Sequence, residues 1–129
     1  MGWEPRDTLN EHNRAFEFGV HRRTLPPLSG RASAAGFERF RARNPDLPAA
    51  HFNALEGCGG LRIGSVSLGS YRGRHCAKDD QQLFNAFSDG ALMGAVNYFD
   101  TAINFRHQRS ERAVGAALSY LVRERAVGR

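Results

Sequence analysis

Between Asp100 and Arg112 the chain crowds together a carboxylate, an aromatic ring at Phe105, an imidazole at His107 and the guanidinium groups of Arg106, Arg109 and Arg112. An aspartate at the carboxyl end of a strand is where barrel enzymes keep their reacting groups, although spacing alone suits a loop or capping aspartate just as well. Histidine is a side chain that can donate a proton near neutral pH, which makes His107 a candidate donor; as a lone loop histidine it reads first as solvated. The three arginines lie beside Ser110 and Glu111, at the start of an apolar-periodic run. A helix N-terminus with guanidinium groups beside it would suit a phosphate. The plainer reading pairs these arginines with Glu111 and neighbouring acids on a wet surface.

Other chemistries find less support. Cys58 and Cys76 lie 18 positions apart and outside any CxxC arrangement, so neither a zinc site nor a disulfide framework is indicated, and a reducing compartment fits. His75 beside Cys76 offers two potential metal ligands without two more at usable spacing, and no metal site is expected. The string GxGxxG is absent, which argues against a Rossmann dinucleotide site. The formal charge of +5 makes an anionic partner worth weighing. Yet residues 1–60 hold 8 basic and 7 acidic groups, and residues 61–129 hold 10 and 6. Both stretches mix signs, so specific nucleic-acid binding is not expected.

The elements that must position these groups follow from periodicity. With 41% hydrophobic and 24% charged residues, the 129-residue chain has the composition of one soluble domain. No apolar run of about 18 residues occurs, and the opening MGWEPRDTLNEHNR lacks the apolar core of a secretory signal, so a cytoplasmic location without membrane contact is expected. Residues 1–60 read as an N-terminal extension. Within it, SAAGFERFRAR from Ser33 places Phe37 and Phe40 on one face of a short helix ended by Asn44-Pro45, and a Pro/Gly-containing connector follows. LRIGSVSLG from Leu61 suits a short strand, or a hairpin running into one. Asp79 or Asp80 is then expected to cap a helix carrying Leu83, Phe84, Phe87 and Ala91 on one face and ending near Gly94. AVNYFDT at 95–101 reads as a second strand. Ser110 is expected to cap a last helix with Ala113, Val114, Ala117, Leu118, Leu121 and Val122 on its apolar face. A strand, helix, strand, helix order implies an α/β protein with parallel strands joined by a right-handed crossover.

These blocks also carry a resemblance. DTAINFRHQRSERAVG at 100–115 resembles the start of the aldo/keto reductases, which follow barrel strand 2 with Asp-Thr-Ala, a Tyr five positions after the Asp, and Ser-Glu leading into a Gly-containing helix. LRIGSVSLGSYRG at 61–73 looks like their first strand, which ends in Gly, a small hydroxyl residue and an aromatic, here Gly69, Ser70 and Tyr71. The resemblance runs over residues 61–129. It implies the first two strand-helix units of an eight-stranded (β/α) TIM-type barrel and an NADP(H)-dependent oxidoreductase acting on small aldehydes or ketones. It further implies that Asp100 stands at the catalytic aspartate and that Gly69, Ser70 and Tyr71 line the nicotinamide side of the pocket.

Two departures shape the functional expectation. The position of the family's catalytic Tyr is Phe105, which has no hydroxyl and cannot protonate a carbonyl oxygen. A (β/α) barrel also needs at least about 200 residues, so 129 residues read as a truncated, partial barrel. The chain is therefore expected to be an N-terminal fragment of such a reductase that is inactive alone. The alternative from another class is a small basic interaction module that binds RNA or a protein partner through its arginines.

Overall fold

In the computed structural model, residues 27–125 are described; the expectations for residues 1–26 lie outside them. The first element is α1, Ala34–Ala42, where the sequence places it. Ser33 has an extended backbone, and its hydroxyl accepts a hydrogen bond from the Gly36 amide at 3.0 Å, meeting one of the donors a helix start leaves free. The helix ends as Asn44 turns its side-chain amide back to the Phe40 carbonyl at 2.9 Å. Its buried Phe37 and Phe40 pack edge-on against Phe52, with ring centroids 5.2 and 6.5 Å apart.

Phe52 brings the first departure from expectation. It opens β1, Phe52–Ala54, in a stretch whose prolines and glycines read as a connector, and β1 pairs antiparallel with β2, Arg62–Gly64. The pairing spans residue 60, so the stretch read as an extension is hydrogen-bonded to the stretch read as the barrel's beginning. LRIGSVSLG is accordingly divided between two sheets. Arg62–Gly64 belongs to the hairpin, and β3, Leu68–Gly69, pairs in parallel with β4, Phe99–Asp100. A three-residue strand flanked by glycines carries too weak an alternation to stand out from loop sequence.

The strand, helix, strand, helix order is present from β3 onward. Helix α2, Ala77–Leu92, connects the parallel strands, and α3, Arg109–Arg123, follows β4. Cys76, rather than Asp79 or Asp80, is the residue before α2; both acids lie in its first turn, where the helix dipole favours them. The helix stops at Met93, and Gly94 takes the left-handed φ of +72° that such endings require. A Cβ there would come within 2.2–2.7 Å of the Asn44 side chain, so Gly94 also lets the end of α1 lie against the end of α2.

The main core lies between α2 and α3. Phe84 meets Tyr120 at 5.6 Å between ring centroids, and Phe87, wholly buried, meets Phe99 of β4 at 4.6 Å. Removing a phenylalanine side chain from water contributes about 1.5–3 kcal/mol, so the Phe87 contact is a principal tie between helix and sheet. On α3 the expected Ala113, Val114, Ala117 and Leu121 are buried; the face extends to Ala116 and Tyr120, and Leu118 is exposed. The aromatic contact with Phe84 accounts for Tyr120 lying inside. Strand β4 covers only Phe99–Asp100 of the expected 95–101, because Val96 hydrogen-bonds to Gly90 at the end of α2 and Asn97 turns its side chain to β2. The described residues thus form a mixed α/β structure with two two-stranded sheets and no closed barrel. None of their helices is long and apolar enough to cross a membrane.

Candidate functional site

The carboxyl ends of β3 and β4 bring together the residues singled out from the sequence. Gly69 and Asp100 face one another in the parallel register. The Asp100 carbonyl accepts hydrogen bonds from the Ser70 amide at 3.1 Å and the Ser70 hydroxyl at 2.8 Å. Just beyond, the rings of Tyr71 and Phe105 meet edge to face at 5.0 Å. Asp100, Gly69 and Tyr71 are exposed, and Phe105 is half-buried. Ser70 is fully buried and committed to the backbone, so it braces the loop and offers no hydroxyl to a ligand.

Ser110 does not cap α3. Gln108, in a left-handed conformation, precedes the helix, while the buried Ser110 hydroxyl donates to the Ser70 carbonyl at 2.6 Å. A chain of contacts therefore runs from α3 through Ser110 to Ser70 and on to Asp100, and it fixes the two loops relative to each other.

Arg106 and Arg109 are placed as neither sequence reading expects, whereas Arg112 is exposed as the surface reading has it. Arg106 is buried, and its Nη2 donates to Asp80 Oδ1 at 2.7 Å. Its Nε and Nη2 also donate to the Arg74 carbonyl at 3.0 and 2.5 Å. Arg109 grips the same carboxylate through Nη2 to Oδ2 and through Nε to Oδ1 at 3.2 Å, and this hydrogen bonding raises its already high pKa. Asp80 is 2% exposed, so two guanidinium groups share one interior carboxylate. Arg106 Nη1 is left buried without a hydrogen-bond partner. The sequence signal for Asp80 was an acid four residues before Phe84, on the stripe that Phe84, Phe87 and Ala91 continue. Its partners lie 26 and 29 residues away, beyond the reach of helical spacing.

Backbone geometry sets this loop apart. Arg106, His107 and Gln108 have φ of 50°, 53° and 67°, three successive left-handed residues that all carry a Cβ. Each such residue costs about 1–2 kcal/mol relative to the right-handed form. The ring of His107 meets that of His75 at 4.3 Å, while the Cys76 thiol donates to Asp79 Oδ1 at 3.4 Å. No group of three or more His, Cys, Asp or Glu among the described residues could hold a metal ion.

With this geometry the site can present one exposed carboxylate beside an open glycine and an aromatic pair, a setting suited to a planar ligand. It has no side-chain hydroxyl at Phe105, and Arg106 is closed to an anion by Asp80. Compared with known proteins, the chain matches no family model, no curated protein and no solved structure.

Proposed function

We propose that residues 61–125 are the first two strand-helix units of a (β/α) barrel of the aldo/keto reductase kind, in which this chain supplies Asp100 and the nicotinamide-side loop without supplying the proton donor. The observation that carries the reading is the parallel register of Gly69 with Asp100. It sets the two sequence blocks bearing the resemblance side by side at the carboxyl ends of their strands, the end at which barrel enzymes do their chemistry. The α2 crossover and the α3 helix after β4 agree with two such units.

The residues present fit one part of NADP(H). No heavy atom lies within 4 Å of a Cβ built on Gly69, and Tyr71 is 67% exposed, so the loop leaves room for a flat ring beside Asp100. When bound, the cofactor supplies hydride to a carbonyl carbon. The oxygen of that carbonyl gains negative charge as the hydride arrives, and a donor must then protonate it. Phe105 cannot do so. Loss of a positioned acid lowers rates by about 10²–10⁴, so aldehyde-dependent NADPH oxidation by this chain is expected to stay at background.

The experiment is to restore the hydroxyl. Phe105→Tyr should leave the 129-residue chain inactive. The same change should raise turnover by about 10²-fold or more when the chain is joined to the remaining strand-helix units of a barrel. Turnover by the unaltered chain that is abolished in Asp100→Ala would overturn the assignment of Phe105, and His107 would be the next donor to replace. The reading of a basic interaction module draws less support, because Arg106 and Arg109 are occupied by Asp80.

A further inference from the structure

We propose that Asp80 is the catch of a strained loop, holding residues 106–108 in a left-handed conformation that they leave, releasing Arg106 to solvent, when the catch opens. Two features make the closed state costly. Arg106, His107 and Gln108 are all left-handed, a conformation that residues with a Cβ avoid and adopt in succession only where their surroundings impose it. Arg106 Nη1 is also buried without a partner, and water would meet this donor on release.

What opposes these costs is localised. The Arg106 side chain is 1% exposed and is anchored on Asp80 and on the Arg74 carbonyl, while Arg109, at the start of α3, holds the second oxygen of the same carboxylate. Both ends of the left-handed run are therefore fastened to one side chain of α2. His107 and Gln108, between the anchors, are exposed. Phe105 immediately precedes the run and rests on Tyr71, so opening would separate the two rings. The device is independent of the carbonyl chemistry proposed above, because it follows from backbone angles and a buried ion pair.

Hydrogen exchange of the full chain, read by mass spectrometry, tests the catch. The Phe105 amide, bonded to Ala102, and the Arg109 amide, bonded to Arg106, report loop opening. Amides within 84–91 and 113–121 report the core. Asp80→Asn keeps the shape but removes the one negative charge that two arginines share, and should speed exchange over 105–109 by at least about tenfold while the core is unchanged. Gln108→Gly removes a Cβ from the strained run and should slow the same amides by about threefold. Loop exchange no faster in Asp80→Asn with the core intact would overturn the proposal, as would loop exchange not slowed in Gln108→Gly. Should Asp80→Asn lose core protection as well, Gln108→Gly alone decides, because it leaves every ion pair in place.

Discussion

Asp79 and Asp80 are neighbours of the same type in the first turn of α2, and the structure gives them different work. Asp79 faces outward enough to accept the Arg74 amide at 2.6 Å and the Cys76 thiol, and these hydrogen bonds, the Arg74 amide foremost, hold its carboxyl below the ordinary value of 3.8. A carboxyl whose pKa is lowered on folding stabilises the fold above its unfolded pKa, and that contribution is lost as pH falls through the folded value. Stability should therefore decline as the pH drops below about 4. Asp79→Asn should flatten that part of the profile, as measured by urea unfolding at successive pH values, while leaving the neutral-pH slope unchanged. An unaltered acid limb in the variant would mean that other carboxylates set it. The sequence showed two acids at a helix start, which is enough to infer a favourable dipole. It did not show which acid turns inward, because that depends on Arg106 and Arg109 arriving from beyond β4.

At the scale of elements, legibility followed length. Helices α1, α2 and α3 run for 9, 16 and 15 residues, long enough for an apolar stripe to repeat, and each was readable within a few residues of its observed bounds. The strands are two or three residues long and give no such repeat. Ser110 shows the same limit in another form: a serine before an apolar run reads as a cap, but here a carbonyl 40 residues away recruits its hydroxyl. Gly94 was readable as a helix stop, whereas its contact with Asn44 was not, since the two are joined only by the packing of α1 onto the end of α2. That contact gives a prediction about the junction. Gly94→Ala combines a left-handed Cβ with a collision against Asn44 and should cost about 2–4 kcal/mol in urea unfolding. Adding Asn44→Ala removes Cγ and Oδ1 but leaves its Cβ 2.7 Å from the new one, so it should recover only part of the steric share. A double variant no more stable than Gly94→Ala alone would show that the Asn44 contact contributes nothing.

Across the whole molecule, two separate apolar clusters have to behave as one fold. Phe37, Phe40 and Phe52 form the smaller, and the α2–α3 core the larger. Polar contacts at the hairpin join them. The Asn97 side chain acts there as a substitute peptide group, with Oδ1 accepting the Gly64 amide at 2.8 Å and Nδ2 donating to the Arg62 carbonyl at 3.0 Å. His51 Nε2 adds a hydrogen bond with the Ala95 carbonyl at 2.8 Å. Strand β2 is thereby paired with β1 on one side and with a side chain on the other, so part of its outer edge is satisfied without another strand. Asn97→Ala would strip both partners from backbone groups that are only partly shielded from water, costing about 1–2 kcal/mol, toward the lower end for an unmet buried group. The loss should be local: amides of 52–64 should exchange about 5- to 30-fold faster, while those of 113–121 keep their protection because Phe84, Phe87 and Tyr120 are untouched. Equal loss in both regions would show instead that the two clusters unfold as a single cooperative unit, with Asn97 among the contacts that make them one.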